Sequence, residues 1–366
     1  MLLIVACSKS GSEGDKKHAS AGEGSGATVT AGSESPKGSA ATQPAKPVET
    51  PRPPLPKFDV PSRLDEIANS YEESFNFATK NGSKAARDRC APLEARYHPF
   101  CYEGIAAAYL SHKGATGRDF EAAMGKIDTA FALVDCQGLG FGMQDSAKLQ
   151  SVANELATEP CRSSFWDGHG YYLALAVAGE ATAPCRKEDG KAPDLDACAK
   201  GSEAIVTGDL AGASCGAQTG DGKRKLKSGI PAGFEMNCSH GVGRALVFMF
   251  GGDVSRAIAS CAGKNPQFVA SCVSGIAFVT TLALPDRLDV AFDALAGPAA
   301  EHKAAFARGM GRALSYRRHG NPTDLASWLG VLSSTERHEA ERLSDVHDKC
   351  ASYFQLDKCE WVPIPK

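Results

Sequence analysis

A short pattern centred on a glycine recurs along most of the chain, and it constrains the fold more than any other feature. Residues 239–246 recur 68 residues later as 307–314, and a shorter copy, 273–278, lies midway between them. The central glycine of each copy, here called the anchor, occurs at seven positions: Gly104, Gly138, Gly168, Gly201, Gly241, Gly275 and Gly309. The six spacings are 34, 30, 33, 40, 34 and 34 residues. Regular spacing in this range indicates stacked supersecondary units.

Each copy is predicted to be one helical hairpin. In the clearest copy, residues 253–262 read as a short amphipathic helix. Asn265 and Pro266 then supply the N-cap and the first position of a second helix, which runs to about Leu284. No segment shows the alternating pattern of a strand. The sequence predicts an all-α fold, a solenoid-like stack of seven or eight hairpins of about 34 residues over residues 58–366.

The position two residues after each anchor is also small in most copies. It is glycine or alanine everywhere except in the copy around Gly201, where Glu203 stands at that position beside the longest spacing. Glycine inside a helix costs about 0.5–1 kcal/mol relative to alanine, so close packing must recover that free energy. We therefore expect each central helix to approach one neighbour through its anchor and another neighbour through the second small residue.

Cysteine usage indicates an oxidising compartment. The chain has 13 cysteines and no C-x-x-C, which favours disulfides over the alternatives of zinc ligation or free thiols. Two pairs share an eleven-residue separation, two further pairs follow from proximity, and the last two are left by elimination. The predicted pairs, in that order, are Cys90–Cys101 and Cys261–Cys272, Cys185–Cys198 and Cys350–Cys359, and Cys136–Cys161 and Cys215–Cys238.

The N-terminus resembles a bacterial lipoprotein signal. The run Ile-Val-Ala-Cys ending at Cys7 is similar to a lipobox, which implies cleavage after residues 1–6 and acylation of the Cys7 thiol, for example with palmitate. Because only six residues precede Cys7, we expect the signal peptide to be truncated and the true start codon to lie upstream. Ser8 favours the outer membrane by the same resemblance. The alternative is an apolar N-terminus that arose by chance.

Between the lipidated cysteine and the repeats, residues 7–57 are rich in Gly, Ser and Pro and carry few large apolar side chains. Such a segment cannot bury enough apolar area to offset its ordering entropy, so it is predicted to be a disordered linker. No other stretch is expected to cross a bilayer, because the most apolar one, residues 273–284, is only twelve residues long. The predicted location is the bacterial cell envelope, with the membrane contacted through the lipid on Cys7.

Several of these segments also resemble a known family, the uncharacterised proteins encoded in enediyne biosynthesis clusters. The similarity runs in the same order over roughly residues 70–335. It is carried by residues 100–107, 167–171, 240–246, 274–277, 308–311 and 321–325. The resemblance implies a shared fold. It also suggests an accessory or catalytic protein that acts on a secreted small molecule.

A polar residue stands one position before every anchor. In a solenoid, equivalent positions form a line along one surface, so we predict a candidate binding face of mixed charge. The face comprises Glu103, Asp167, His240 and Arg308, extended by Arg244 and Arg312. Two alternatives stay open. These residues could simply be polar helix turns, or Asp167 and His240 could form an acid–base pair.

The leading functional hypothesis is a non-catalytic envelope lipoprotein, a helical-repeat scaffold that binds a protein or envelope partner. The alternative is action on a secreted small molecule through Asp167 and His240. Convergence of Glu103, Asp167, His240 and Arg308 in one place would favour the alternative, whereas a linear arrangement would favour the scaffold. No metal or cofactor motif occurs, and a net charge of −3 without a basic stripe argues against nucleic acid.

Overall fold

The fold is all-α, as predicted. The computed structural model describes residues 49–124, 132–181, 196, 200, 201, 203, 205, 210–215, 230, 231, 233–263, 265–320 and 322–349. Within those residues the chain is 81% helix and contains no strand. The described residues from Thr50 onward belong to one compact unit, Thr50–Lys366.

The described residues form fifteen α-helices. They are α1 Val60–Asn81, α2 Ser83–Cys90, α3 His98–Ala108, α4 Gly117–Met124, α5 Ala132–Gly142, α6 Ser146–Glu155, α7 Glu159–Ala181, α8 Leu210–Cys215, α9 Glu235–Met249, α10 Val254–Ser260, α11 Pro266–Ala283, α12 Leu288–Ala296, α13 Lys303–Gly320, α14 Pro322–Trp328 and α15 Ser334–Lys349. The helices α1, α3, α5, α7, α9, α11, α13 and α15 contact one another in that order. We call these eight the inner helices.

The anchor glycines let the inner helices pack main chain against main chain. A Cβ atom added at Gly168 would overlap the carbonyl oxygen of Gln137, the polar residue before the anchor of the preceding inner helix. In the same way, an added Cβ atom would overlap the carbonyl oxygen of the preceding helix's polar residue at four other anchors. These pairs are Gly138 with Glu103, Gly241 with Asp167, Gly275 with His240 and Gly309 with Ser274. The second small residue contacts the following inner helix instead, as for Gly140 on Phe165, Gly170 on Cys238 and Gly243 on Cys272. The prediction that the two small positions serve two different neighbours is confirmed.

The copy around Gly201, which already departs from the sequence pattern at Glu203, does not take part in this series of contacts. Gly241 of α9 contacts the carbonyl oxygen of Asp167 in α7 directly, which leaves no place for another helix between them. Lys200 and Glu203 are both exposed. The physical reason is the charge at Glu203, because a carboxylate at a helix–helix contact would lose its hydration without gaining a partner.

Four of the six predicted cysteine pairs lie at disulfide-bonding distance. Their Cα–Cα separations are 5.9 Å for Cys90–Cys101, 5.3 Å for Cys136–Cys161, 5.7 Å for Cys215–Cys238 and 5.8 Å for Cys261–Cys272. Three of them join a shorter helix to the inner helix that follows, whereas Cys136–Cys161 joins the inner helices α5 and α7. The predicted pairs Cys185–Cys198 and Cys350–Cys359, and the lipidation site Cys7, lie outside the described residues.

We expect the double variant Cys261→Ala, Cys272→Ala to lose about 3 kcal/mol of unfolding free energy, the value of a short closed loop in the chain-entropy model. Both cysteines are fully buried, so alanine adds no polar group. Urea unfolding under non-reducing conditions measures the change. The pair Cys90 and Cys101 has the same separation of 11 residues and is the matched control, for which we expect a similar loss. An unchanged midpoint in both double variants would contradict this assignment.

The end of the predicted linker contacts the body of the fold, in the compact unit that begins at Thr50. Thr50 and Ser334 are joined by two hydrogen bonds of 2.8 and 2.9 Å, and Arg52 pairs with Asp293 at 2.7 Å and with Glu336. These contacts, together with the restricted backbone of the prolines in this stretch, offset the cost of ordering it. We call residues 50–57 the N-terminal strap.

Further contacts join the beginning of the unit to the region of α11 and α13. Arg63 of α1 and Arg96 before α3 pair with the two carboxylate oxygens of Asp286, at 3.0 and 2.9 Å. Arg317, near the end of α13, donates a hydrogen bond of 2.6 Å to the carbonyl oxygen of Ala95. The series of inner helices therefore curves back, so that residues at its start contact residues near α11 and α13.

Helix α11 is largely buried in this arrangement. Its predicted start is confirmed, since the Asn265 side chain accepts a hydrogen bond of 3.0 Å from the Gln267 amide and Pro266 occupies the first helical position. Among the described residues, α11 alone is long and apolar enough to cross a membrane, which differs from the twelve-residue stretch seen in the sequence. Because 72% of it is buried inside the folded chain, its apolar character is accounted for by the core.

Candidate functional site

Six polar side chains from five inner helices meet at the centre of the fold. The residue before an anchor and the residue three after it are four positions apart, so they share one face of a helix. The curvature of the series turns this face inward. The resulting charge cluster consists of Glu103 of α3, Gln137 of α5, Asp167 of α7, His240 and Arg244 of α9, and Arg312 of α13, each no more than 2% exposed.

Asp167 is the hub of the charge cluster. Its Oδ2 atom lies 2.9 Å from Nδ1 of His240 and 3.4 Å from Nη1 of Arg312, and it accepts a hydrogen bond of 2.7 Å from the amide of Gln137. Its Oδ1 atom lies 3.3 Å from Nη1 of Arg244. The other guanidinium nitrogen of Arg244 donates a 2.6 Å hydrogen bond to Oε1 of Glu103. One carboxylate thus faces four cationic or polar partners from three different helices.

Aromatic rings surround the two guanidinium groups. The Phe278 ring lies between them, 5.8 Å from the guanidinium carbon of Arg244 and 4.9 Å from that of Arg312. Tyr171 covers Arg244 at 5.4 Å, and the Tyr316 hydroxyl accepts a hydrogen bond of 3.3 Å from Nε of Arg312. Ring faces attract a buried cation, and this attraction offsets part of the hydration that each arginine loses.

Burial and mutual attraction set the protonation states. Burial alone would raise the pKa of Asp167, but the attraction and hydrogen bond of His240 and the charges of Arg244 and Arg312 outweigh burial and hold it below its usual value. Burial lowers the pKa of His240 to about 4 against the attraction of Asp167, and the two arginines lower it further. Burial raises the pKa of Glu103, and Arg244 opposes that rise. With His240 neutral, two arginines balance two carboxylates.

We expect stability to fall in acid through His240. Its pKa is about 4 in the folded chain against 6.5 for an unperturbed histidine. The unfolded chain therefore binds more protons between these values, and the free energy of unfolding decreases as the pH falls from 6.5 toward 4. The full difference is about 3 kcal/mol. His240→Asn keeps an amide near the position of Nδ1 but does not titrate, so its stability should decline less over the same range.

Urea unfolding at several pH values between 7 and 4 measures this difference in slope. His338, which is exposed, provides the control substitution His338→Asn, which should leave the pH dependence as it is in the unaltered chain. Parallel curves for the unaltered chain and His240→Asn would contradict a neutral, buried His240.

The predicted binding face is not a surface. Glu103, Asp167 and His240 are 2%, 0% and 0% exposed, and Arg308 is 8% exposed. Arg244 and Arg312 are both 2% exposed. The expectation of an exposed line of charges is therefore wrong, because the strong curvature of the inner helices brings this face to the interior. Glu103, Asp167 and His240 converge, as the acid–base alternative required, but they do so inside the core.

Sequence reasoning did not identify two of the side chains that contact the charged residues of the site, Gln137 and Phe278. Gln137 was visible as a polar residue before an anchor, but its hydrogen bond to Asp167 was not foreseen. Phe278, which lies between the two arginines, stands three residues after its anchor, in the same position as Arg244 and Arg312. If each polar residue before an anchor is considered together with the residue four positions later, Phe278 is identified as sharing the face that carries Arg244 and Arg312 in the other copies.

The chemistry open to the charge cluster is limited by its burial. The Asp167–His240 contact is of the kind used for proton transfer, yet both side chains have an exposure of 0%. In the part of the chain that the structure describes, no group of three or more His, Cys, Asp or Glu side chains is arranged to hold a metal ion.

Comparison with known proteins does not add a family. The chain matches no family model, no curated protein and no solved structure. The resemblance to the enediyne-cluster proteins therefore stays a prediction. The case for a function rests on the arrangement of the residues described above.

Proposed function

We propose that this chain is a non-catalytic, lipid-anchored scaffold of the bacterial cell envelope, built as a stack of helical hairpins of about 34 residues. Convergence of Glu103, Asp167 and His240 by itself favours the catalytic alternative, but the observation that carries the proposal is that this charge cluster is closed to solvent. Its hub, Asp167, is fully buried and surrounded by partners that neutralise it. A cluster of this kind fixes which helices meet and in which register, a role that buried polar groups are known to serve in some folds.

The tether is the second part of the proposal. A lipidated Cys7 would be followed by about forty flexible residues before the N-terminal strap, which corresponds to a root-mean-square reach of about 35 Å. A folded body held at that distance from the membrane surface, which Ser8 would make the outer membrane, is suited to contact a partner in the envelope. The four cysteine pairs at bonding distance agree with an oxidising compartment.

Fractionation of cells that express the full gene tests the tether. We expect the chain to sediment with membranes, and Cys7→Ala to be released into the soluble fraction with the same unfolding midpoint. Inhibiting the lipoprotein signal peptidase should leave a slower-migrating precursor. Unchanged mobility under inhibition, together with an unchanged distribution of Cys7→Ala, would overturn the lipoprotein assignment.

A second candidate is favoured by one observation, the 2.9 Å contact between Asp167 and His240. If the interior opens, this pair could transfer a proton to or from a secreted small molecule, as the enediyne-cluster resemblance suggests. The two candidates differ in whether His240 can be reached from solvent in the native chain.

Chemical modification of histidine with diethyl pyrocarbonate separates the two candidates. The reagent attacks the neutral imidazole, which is the form of His240 at pH 7, so a lack of reaction reports burial rather than protonation. We expect exposed His338 to react rapidly and His240 to react only after unfolding. Comparable rates at His240 and His338 in the native chain would favour the catalytic candidate.

A further inference from the structure

The N-terminal strap lies on the folded body in the way that an extended peptide ligand lies on its receptor. Between residues 49 and 59, every third side chain is half-buried, namely Arg52, Leu55 and Phe58, and all the others are exposed. A period of three is that of the polyproline II helix, which the prolines of this stretch favour. One face of the extended strap therefore contacts the body, and its other faces are open to solvent.

The body receives the strap on α12 and on the first turn of α15. Arg52 donates hydrogen bonds of 2.8 Å to Glu336 and 2.7 Å to Asp293, and a second nitrogen of its guanidinium group also contacts Glu336. The Thr50 amide donates to the Ser334 hydroxyl at 2.8 Å, and the Ser334 amide donates to the Thr50 carbonyl oxygen at 2.9 Å. These contacts recognise the main chain of a peptide and an arginine two residues later.

The receiving surface is held in place by contacts that do not involve the strap. Ser333 and Glu336 form a capping box at the start of α15, in which the Ser333 amide donates to the Glu336 carboxylate at 3.0 Å and the Glu336 amide donates to the Ser333 hydroxyl at 3.3 Å. The carboxylate is thus positioned without Arg52. If the strap leaves, Glu336 and Asp293 remain together as a site for a guanidinium group.

The strap is held by contacts that open easily. In the ion pair between Arg52 and Asp293 the two side chains are 28% and 66% exposed, so water and salt weaken their attraction. A segment held by exposed contacts opens locally while the core stays folded. The strap nevertheless has an advantage over a free peptide, because its link to α1 gives it an effective concentration of about millimolar.

We propose that the surface formed by Asp293, Ser334 and Glu336 is a binding site for an extended, proline-rich peptide that carries an arginine. The N-terminal strap occupies this site until a segment of the same chemistry in an envelope partner displaces it. The inference rests on the proposed scaffold function and gives the chemistry of its partner. Displacement would also free the eight residues of the strap, which adds about 25 Å to the tether when they are extended.

The test uses the full chain and a fluorescent peptide of residues 50–59, acetylated at its N-terminus so that the Thr50 amide is kept. Arg52→Glu places a repelled charge in the strap and should open the site. We expect the peptide to bind this variant at least about tenfold more tightly than the unaltered chain, as measured by fluorescence anisotropy. Lys57→Glu, the same change at an exposed strap residue, is the matched control and should bind the peptide like the unaltered chain.

Two further variants locate the peptide on this surface. Adding Glu336→Gln to Arg52→Glu should weaken peptide binding about tenfold, because a charge-assisted hydrogen bond becomes a neutral one. Thr50→Pro opens the site by a second route, since it removes the amide that donates to Ser334 and leaves the arginine in place. We expect it to bind the peptide more tightly than the unaltered chain does.

Equal peptide affinity in the unaltered chain, Arg52→Glu and Thr50→Pro would overturn the inference. So would an affinity for Arg52→Glu that Glu336→Gln does not reduce, or equally tight binding of a peptide with glutamate in place of its arginine. Each of these outcomes leaves the membrane-tether test unaffected, because that test depends on Cys7 and not on the strap.

Discussion

Replacing Gly168 with alanine is expected to remove more than about 4 kcal/mol of unfolding free energy, in the range of severe core substitutions. At an ordinary helical position the same change stabilises by about 0.5–1 kcal/mol. Here the new Cβ would overlap the carbonyl oxygen, the carbonyl carbon and the Cα of Gln137, all of them main-chain atoms of α5. No side-chain rotation relieves such an overlap, so the two helices must separate.

Separation of α5 from α7 has a second consequence. Gln137 and Asp167 flank this contact, and the hydrogen bond of 2.7 Å between their side chains depends on it. The loss therefore includes weakened contacts in the charge cluster as well as steric overlap. We expect Gly168→Ala to give little folded protein, or a midpoint far below that of the unaltered chain in urea unfolding followed by circular dichroism.

The control substitution is Gly330→Ala. Gly330 has open space where its Cβ would stand and a backbone conformation that alanine adopts readily. Its unfolding free energy should change by less than about 0.5 kcal/mol. Equal stability of Gly168→Ala and Gly330→Ala would contradict the packing described for the anchors.

The second large effect is expected for Arg244→Met, which should cost about 3–5 kcal/mol, the range for breaking a buried ion pair from one side. Methionine fills much of the volume but leaves Glu103 without its 2.6 Å partner and Asp167 with less compensating charge. Desolvated carboxylates without partners are the source of the loss, rather than the missing attraction itself.

A double substitution checks that explanation. Glu103→Gln in the Arg244→Met background removes the unpaired charge, so a substantial part of the lost stability should return. Arg342→Met is the control, since Arg342 pairs with Glu339 at 2.6 Å but its side chain is 26% exposed, and we expect a loss below about 1 kcal/mol. If the double variant is no more stable than Arg244→Met, an uncompensated carboxylate is not the cause.

Local features of the fold could be predicted because they depend on a few neighbouring residues. Asn265 fixes the start of α11 through a side-chain hydrogen bond. Pro266 suits the first helical position because it has no amide hydrogen that would be left without a partner. The two small residues Gly241 and Gly243 indicate that neighbouring helices pack closely against this one, whichever helices those neighbours are. Cys261 and Cys272 lie within reach of each other simply because one hairpin turn separates them.

The placement of the site could not be predicted in the same way. A repeat tells which residues share a face, but the side on which that face lies depends on the rotation between successive hairpins, to which every packing contact contributes. From the sequence alone, Asp167 and His240 were therefore predicted to lie along an exposed surface. Long-range pairs such as Arg63 with Asp286, which join α1 to the segment after α11, have no signature in the local sequence.

The N-terminal strap has a mechanical consequence. Tension applied to the chain before Thr50 loads the hydrogen bonds to Ser334 and the Arg52 ion pairs with Asp293 and Glu336 before it reaches α1. Those bonds end on α12 and on the first turn of α15, far along the chain from the strap. Tension on the segment before Thr50 is thus shared with α12 and α15. The folded body would therefore move as a whole, and α1 would not unfold first.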